Sequence, residues 1–369
     1  MKIAHLLATG GWGGAEGLAC ALAERAQQQG HVVSVDAAPL AQAGLSHRGF
    51  SGAGQEATLA SWARAARKRL TAFAPDLVHV HLSTPAFAAT AMLASRGFRG
   101  LVSLHLLPEK SWPNDFLTGL PSYLTLLAGA QLCPRWLLVA VSRSDRLRLK
   151  PWFGSGVRAV PNAPLALRED ESDASDRAFQ GASLKLLSVG RLEVQKGLDR
   201  LLAALAGPAL AALNFRLLLV GDGEQRAELA RIAQRLGLGE RVQFLGASRW
   251  QRAARAADLL ICPSRYEGMP LTPMEGVLAG CPVIASPIPA HRELFGAISG
   301  SLLPERERDW PGFLRPLLAD PERRACLGRA QKTLAPFFSF ERMWDGYQLL
   351  YDELAGLGAG TSNRPLRDR

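Results

Sequence analysis

The sequence contains no apolar run of eighteen residues, so it predicts no helix that spans a membrane. Its five cysteines are scattered and lack the C-x-x-C spacing of a zinc site, which predicts reduced core thiols in a cytoplasmic protein. The first residues begin like a signal peptide, with a lysine followed by apolar side chains. Glycines and Glu16 interrupt that run early, which favours a strand and a loop instead.

A complete dinucleotide-binding fingerprint is also missing. In GGWGGAEG, Glu16 stands where the third glycine of G-x-G-x-x-G is required, counted from Gly11. A later segment, GDGEQR, has two glycines and lacks the third. We therefore expect no dinucleotide loop of that kind.

Length and charge set the broad class of the protein. The 369 residues are too many for one typical core and suit two domains, and the 48% hydrophobic and 21% charged content is that of a globular protein. Residues 1–165 hold 16 Lys and Arg against 8 Asp and Glu, a balance of +8 out of the net +10. A basic half indicates an acidic partner, which could be nucleic acid, a phosphorylated substrate or an anionic membrane surface.

Short apolar segments alternate with helical patterns along the whole chain, and this alternation predicts parallel sheets covered by helices on both faces. The sequence thus predicts an α/β protein with two Rossmann-like domains facing across a cleft. We expect them at residues 1–165 and 184–335, joined by the polar linker 166–183, whose EDESD cluster we interpret as solvated charge. An amphipathic helix at 336–357 and a flexible tail at 358–369 follow.

The predicted strands end next to residues that suit an anionic ligand, as is usual for ligand sites in open parallel sheets. Gly14 precedes a helix after the first strand, where backbone N–H groups can approach an anion. Arg191 and Lys196 precede another helix, and two cations beside a helix N-terminus can neutralise a diphosphate.

The segment SRYEGMPLTPMEGVLAGCPVIAS places two carboxylates eight positions apart. The N–H groups of Leu271 and Thr272 enter a helix behind Pro270, which is a second anion site. Glu275, one turn later, can accept hydrogen bonds from a ribose diol, and Glu267 can hold sugar hydroxyls. One short unit can therefore bind both ends of a nucleotide sugar.

The chain resembles the retaining glycosyltransferases of family GT4, which have the GT-B fold. The segments that carry the resemblance, in the order that the family has, are GGAEGLACALAERAQQQGHVV, DLVHVH, VSLH, VAVSRS, VPNAP, SVGRLEVQKGLDRLLAAL, LLLVGDGEQRAELARIAQRLGLGERVQFLG and PSRYEGMPLTPMEGVLAGCPVIAS. The last contains the family's E-x7-E. The resemblance implies that the donor binds in the second domain, the acceptor mostly on the first, and that the last helix crosses back to the first domain.

The resemblance also assigns roles to single residues. It implies donor diphosphate contacts from Gly14, Arg191, Lys196, Leu271 and Thr272, ribose contacts from Glu275, and contacts to the transferred sugar from Glu267, Gly268, Met269 and Pro270. His105 and Glu267 are the implied catalytic residues. The His79–His81 pair could suggest a metal by its spacing, but the family has the same pair without one, so no metal ligand is expected.

The sequence departs from the family pattern at two places. Ala163 and Pro164 alter the turn in VPNAP, and the apolar, aromatic residues 106–136 replace a charged stretch. The resemblance implies transfer of a hexose-type sugar to a hydroxyl of a glycan, with retention of the configuration at the anomeric carbon. The apolar stretch indicates a lipid-linked acceptor such as lipopolysaccharide core. No cofactor is expected; the donor is a nucleotide-diphosphate sugar, in the first place a UDP-sugar and in the second a GDP-sugar.

No Asp-x-Asp ends a predicted strand, so the cations rather than a divalent metal are expected to stabilise the leaving group. Two other functions fit the same motifs: a nucleotide-sugar 2-epimerase of GT-B fold, and a non-catalytic protein that binds nucleotide sugars.

We expect the protein in the cytoplasm, bound peripherally to the inner face of the cytoplasmic membrane. An anionic membrane surface is an expected partner, and nucleic acid is not. TLASWARAARKRLTAF mixes Trp62, Leu70 and Phe73 with basic residues, which is typical of an interfacial helix. The competing interpretation is a helix that covers the first sheet with its apolar face.

Overall fold

The structure is a computed structural model, and it describes residues 1–9, 14–39, 59–82, 85–107, 124, 126–129, 135–165, 179, 181–248 and 250–356. Its chain forms two compact units. Unit 1 consists of Met1–Pro161 and the segment from Glu341 onward, and unit 2 is Asn162–Phe340. Most of the expected linker, much of residues 106–136 and the tail 358–369 lie outside the described residues. The domain boundaries expected at 165, 184 and 335 stay predictions.

Unit 1 is built on a six-stranded parallel sheet with the order β2-β1-β3-β4-β5-β6. Its strands are rich in apolar residues, as expected for a parallel sheet that is covered by helices on both faces. The strands are β1 (Lys2–Thr9), β2 (Val32–Pro39), β3 (Leu77–Leu82), β4 (Arg99–Leu104), β5 (Trp136–Ala140) and β6 (Val157–Ala159).

The described helices of unit 1 pack on this sheet and close its core. They are α1 (Gly14–Gln28), α2 (Leu59–Phe73), α3 (Pro85–Ala94), α4 (Arg143–Phe153) and α12 (Phe340–Ala355). Ser142 is the N-cap of helix α4. Its hydroxyl accepts a hydrogen bond from the Asp145 backbone N–H at 3.1 Å and so satisfies one free donor of the first turn.

Unit 2 has a five-stranded parallel sheet with the order β11-β10-β7-β8-β9. The strands are β7 (Leu184–Val189), β8 (Phe215–Val220), β9 (Val242–Gly246), β10 (Leu259–Cys262) and β11 (Val283–Ala285). The helices are α5 (Leu198–Leu205), α6 (Arg226–Arg235), α7 (Gln251–Ala256), α8 (Leu271–Leu278), α9 (Pro289–Phe295), α10 (Trp310–Ala319) and α11 (Pro321–Lys332). Leucines of β7 and β8, together with Trp310, fill the core between sheet and helices.

The last helix, α12, belongs to unit 1 although it follows unit 2 in the chain. Its buried residues recur along one face, as the aromatic, amphipathic pattern predicts; they are Met343, Trp344, Tyr347, Leu350 and Tyr351. Tyr351 donates or accepts a 2.8 Å hydrogen bond with His79, and Tyr347 makes one of 2.8 Å with Ser103. Since Ser103 also meets His79 at 2.8 Å, a continuous buried chain of hydrogen bonds ties the helix to β3 and β4.

The prediction of two parallel-sheet α/β domains is confirmed. The strand missed by the sequence reasoning is β6, which has only three residues and ends directly before the altered VPNAP turn. The three residues of β6, Val-Arg-Ala, are too few to show a hydrophobic period, so the sequence does not distinguish this strand from a loop.

Helix α2 differs from the interfacial helix considered above. Trp62 is 1% exposed and Leu70 3% exposed, and both belong to the core of unit 1, with Phe73 packed against that core. These side chains are therefore not available for insertion into a membrane. The packing supports the competing interpretation, in which α2 covers the sheet and leaves Arg64 and Lys68 exposed.

The expectation of core thiols is correct for some cysteines and wrong for one. Cys262 and Cys281 are buried, Cys20 is partly buried, and Cys326 is exposed on α11. All four are free, and Cys133 lies outside the described residues. Within the described part of the chain, no helix is both long enough and apolar enough to cross a membrane.

Candidate active site

The strand order of unit 2 places a topological switch point between β7 and β10. From β7 the chain proceeds to β8 on one side, while β10 lies on the other. The loops that leave the two strands at this point therefore diverge, and the crevice between them is where open parallel sheets bind ligands. Lys196 follows β7 and Glu267 follows β10, so the topology brings these two predicted residues together.

Lys196 and Glu267 form a salt bridge in this crevice. The Lys196 Nζ atom lies 2.6 Å from the Glu267 Oε1 atom, and Glu267 is 8% exposed. Ser264 donates a second hydrogen bond to Oε1 at 2.8 Å, and Gln195 donates one to Oε2 at 3.1 Å. The carboxylate is thus held in one orientation by three donors from the loops after β7 and β10.

The protonation state of Glu267 follows from these contacts. Burial alone would raise the pKa of its carboxyl group, but the charge of Lys196 and the hydrogen bonds from Lys196 and Ser264 outweigh burial and lower that pKa. Glu267 is therefore ionised at neutral pH. A buried but ionised carboxylate can accept hydrogen bonds from hydroxyl groups of a bound molecule.

Glycines allow the loops to approach each other closely. Gly190 has φ +149°, and a Cβ atom there would lie 3.0 Å from Cε of Lys196, so the lysine side chain passes over this glycine. Gly197 has φ +63°, and a Cβ atom there would collide with the carbonyl oxygen of Pro263. Larger residues at these positions would push the Lys196 loop away from the loop after β10.

Helix α8 begins beside the salt bridge and contains the other predicted donor-site residues. Its N-cap is Pro270, and no side chain caps its first turn, so the N–H groups at Leu271 and Thr272 have no side-chain cap partner. Gly268, Met269 and Pro270 are buried in the preceding loop. Met269 is anchored there by a 3.4 Å hydrogen bond that its carbonyl oxygen accepts from Asn162.

Glu275 lies one turn into α8 and has a different environment from Glu267. Burial raises the pKa of its carboxyl group to about 7. Near neutral pH a substantial fraction of Glu275 is therefore protonated.

Arg191 lies apart from the Lys196–Glu267 pair. Its side chain is 63% exposed and forms a 2.9 Å ion pair with Glu193 in the same loop. The structure therefore brings Lys196, Glu267 and the start of α8 together, and it does not bring Arg191 into that group.

Gly14 and His105 belong to unit 1 and are described within it. Gly14 is the exposed first residue of α1. His105 follows β4, and its ring stacks on that of His81 with a centroid distance of 5.9 Å. Burial lowers the pKa of His105 to about 4, so its ring is neutral at pH 7. Neither ring nitrogen has a hydrogen-bond partner among the described residues.

Three other histidines of unit 1 lie on neighbouring strands, since β1 pairs with β3 at His5 and His79. The ring nitrogens of His5, His79 and His81 come within 4.8 Å of one another, close enough to share a metal ion. However, both nitrogens of His79 meet hydroxyl groups, and Nδ1 of His5 lies 3.0 Å from Nε2 of His81. The expectation that these histidines hold no metal stays a prediction.

The sequence reasoning missed some residues of the crevice. Ser264 and Gln195 each stand next to or near a predicted residue, and both orient Glu267. His291, on α9 after β11, is fully buried and lines the same pocket. The signal that could have found it is its place after the last strand of the sheet. The pocket is lined by Ser188, Val189, Lys196, Cys262, Pro263, Ser264, Glu267, Pro270, Thr272, Pro273 and His291.

Comparison with known proteins gives two family matches that divide at the unit boundary. The family described as Glycosyltransferase Family 4 matches residues 12–163, and the family described as Glycosyl transferases group 1 matches residues 170–333. A D-inositol 3-phosphate glycosyltransferase of Segniliparus rotundus is 34% identical over 227 residues, 58% of this chain and 47% of the relative. The chain spans about half the length of the curated relatives it matches.

Solved structures with the same fold cover almost the entire chain. Sucrose-phosphate synthase of Thermosynechococcus elongatus superposes with a TM-score of 0.81 at 21% identity, covering 97% of this chain and 100% of that one. The Anabaena protein HepE, in a complex with UDP and glucose, gives 0.76 at 22% identity, covering 96% and 100%. WaaG, a glycosyltransferase involved in lipopolysaccharide biosynthesis, gives 0.75 at 17% identity, covering 98% and 100%.

Both halves of the chain thus match glycosyltransferase families, and the fold matches glycosyltransferase structures along nearly its whole length. The chain belongs to the family 4 glycosyltransferases and has their GT-B fold of two parallel-sheet α/β domains.

Proposed function

We propose that the chain transfers a hexose-type sugar from a nucleotide-diphosphate sugar to a hydroxyl group of a glycan acceptor, with retention at the anomeric carbon and without a metal ion. The observation that carries this proposal is the pairing of the half-buried Lys196 with the buried Glu267 at the switch point of unit 2. The pocket that contains this pair brings together a cation, a carboxylate in a fixed orientation and the start of α8, which no side chain caps.

The leaving group of such a reaction is a nucleoside diphosphate, whose negative charge grows as the bond to the sugar breaks. Lys196 and the N–H groups at the start of α8 are positive groups fixed beforehand, which stabilise developing charge more effectively than mobile water does. These groups supply the charge that a metal ion provides in other transferases. Arg191 is assigned to the same diphosphate, and it would have to leave Glu193 to reach it.

The salt bridge between Lys196 and Glu267 stabilises the free protein. A buried charge without a partner is strongly destabilising, so each group neutralises the other before a donor binds. When a donor binds, Lys196 can contact phosphate while Glu267 accepts hydrogen bonds from sugar hydroxyls. Glu267 positions the sugar in this proposal, and Glu275 accepts hydrogen bonds from the ribose.

The donor and acceptor are assigned from chemistry and from relatives. HepE was solved with UDP and glucose, which supports a UDP-sugar as donor. WaaG acts in lipopolysaccharide biosynthesis, and residues 106–136 are apolar, which together support a lipid-linked envelope glycan as acceptor. Gly14 and His105 of unit 1 are assigned to the donor phosphates and to the reacting sugar, as the family resemblance implies.

Turnover of nucleotide sugars by the purified full chain tests this proposal. A panel of UDP- and GDP-sugars is first screened by thermal shift, because a ligand that binds the native state raises its apparent stability. We expect slow hydrolysis of the best donor without acceptor, and in the presence of a hydroxyl acceptor NMR of the glycoside formed should show the anomeric configuration of the donor. An epimerised nucleotide sugar would instead indicate a 2-epimerase, and binding without any turnover would indicate a non-catalytic protein.

A further inference from the structure

His291 is a buried histidine for which the mechanism above has no role. It lies on α9, behind the strand β11, and it lines the pocket that contains Lys196 and Glu267. His291 is 0% exposed, and a buried polar ring needs hydrogen-bond partners on both nitrogens. The two nitrogens of the ring have different surroundings, and the difference indicates what the residue binds.

The Nδ1 atom of His291 carries the ring proton. It lies 2.9 Å from the backbone carbonyl oxygen of Ser286, which can only accept a hydrogen bond. The Ser286 hydroxyl, 3.2 Å away, donates its own proton to the carbonyl oxygen of Ser264, so it too can only accept from Nδ1. Burial lowers the pKa of the His291 ring to about 4, so the ring is neutral and holds a single proton.

The Nε2 atom of His291 is therefore an acceptor with a free lone pair. It is buried, and it has no hydrogen-bond partner among the described residues. The ring cannot turn over to hide this atom, because Ser286 holds Nδ1. A fixed, buried and unsatisfied acceptor in a ligand pocket is matched by a ligand group that donates a proton.

The chemistry of the pocket indicates which part of a nucleotide sugar donates this hydrogen bond to Nε2. Phosphate oxygens of a nucleoside diphosphate carry no proton and repel a lone pair, so Nε2 does not face the diphosphate. The transferred sugar, in contrast, presents hydroxyl groups. Together with the Glu267 carboxylate, Nε2 gives the pocket two acceptors for a polyol, whereas Lys196 supplies the positive charge for phosphate.

We infer that His291 determines donor specificity by accepting, at Nε2, a hydrogen bond from one hydroxyl group of the transferred sugar. This inference rests on the proposed function. It makes the pocket selective for a sugar with a free hydroxyl at one ring position, since a site built to bind a hydroxyl strongly rejects the analogue that lacks it. Ser286 acts through His291 by fixing the tautomer and orientation of the ring.

Two variants separate this role from a structural one. His291→Leu fills the site without an acceptor, and His291→Gln returns an acceptor oxygen near the position of Nε2. We expect His291→Leu to lower kcat/KM for the sugar donor by about tenfold or more, with the Kd for UDP unchanged, and His291→Gln to recover much of the loss. Monodeoxy donors add the decisive comparison: one of them should be a poor substrate for wild type and no worse than the full donor for His291→Leu.

A measurement on the unmodified protein covers the case in which both variants fail to fold. In protein labelled with ¹⁵N-histidine, the Nε2 resonance of His291 should move upfield on binding the nucleotide sugar and stay in place with UDP alone. An unchanged Nε2 resonance, or a His291→Leu variant that folds and keeps wild-type kcat/KM and deoxy-donor selectivity, would overturn the inference. If wild type binds no nucleotide sugar at all, the proposed function fails and this inference fails with it.

Discussion

Glu275 is expected to make the protein less stable as the pH rises. Its pKa is about 7 in the folded chain and 4.5 when unperturbed, because burial disfavours the ionised form. A carboxyl group with a raised pKa contributes its full stability below the unfolded-state pKa of 4.5. This contribution is lost as the pH rises through the folded-state pKa of about 7. The two values differ by the equivalent of about 3 kcal/mol, which is the cost of ionising Glu275 in the folded state.

The variant Glu275→Gln has no ionisable group and escapes this cost. We expect it to be more stable than wild type by about 3 kcal/mol at about pH 8 and by about 1 kcal/mol or less at about pH 5. Urea unfolding of both proteins at a series of pH values gives the difference directly. Other titrating groups are common to the two proteins and cancel in the comparison.

Glu224→Gln, at an exposed turn of the same unit, is the matched control for the exchange of a glutamate for a glutamine. A pH-independent difference for Glu275→Gln, or a variant less stable than wild type at about pH 8, would refute the reasoning. The same variant should lose affinity for the donor, because a neutral amide replaces the carboxylate assigned to the ribose. If Glu275→Gln is more stable than wild type but binds the donor more weakly, Glu275 serves function at the expense of stability.

Other predictions follow from the site and from unit 1. Lys196→Ala should lower kcat/KM by about 100-fold and also destabilise the fold, because it leaves Glu267 buried without its cation; wild-type turnover would contradict the assignment. Arg191→Ala should reduce turnover without changing the urea midpoint, since an exposed ion pair contributes little to stability. EDTA should leave turnover unchanged, and a loss that Mg²⁺ or Mn²⁺ restores would contradict the metal-free mechanism. Co-sedimentation with anionic liposomes should be abolished by salt and weakened by charge reversal at Arg64 and Lys68, because the apolar face of α2 is buried; salt-resistant binding would contradict this.

The fold could be predicted from the sequence because parallel strands buried on both faces are continuous apolar runs. The apolar segments 184–189, 215–220, 242–245 and 258–262 predict four strands, and β7 to β10 agree with them within one residue at each end. The site at the ends of β7 and β10 could be located for the same reason, since the loop residues follow once the strands are placed. Glu267 and Lys196 meet because the strand order puts their loops side by side.

The parts that could not be predicted depend on three-dimensional neighbours rather than on spacing. The place of His291 after β11 could have indicated that it lines the pocket, but only its contact with Ser286 reveals a fixed tautomer. The amphipathic pattern of α2 is the same whether its apolar face meets a lipid surface or a β-sheet. Arg191 and Lys196 look equivalent in the sequence, and only the structure shows that Arg191 is exposed whereas Lys196 is half-buried and paired with Glu267.

Helix α12 has a consequence for the order in which the protein folds during synthesis. Unit 2 is one continuous stretch and can fold as soon as its last residue leaves the ribosome. Unit 1 begins first but cannot be completed then, because His79 and Ser103 find their buried partners, Tyr351 and Tyr347, only on α12. The half that is made first is therefore the half that is finished last, and a nascent chain arrested before α12 exposes an incomplete core to chaperones and proteases.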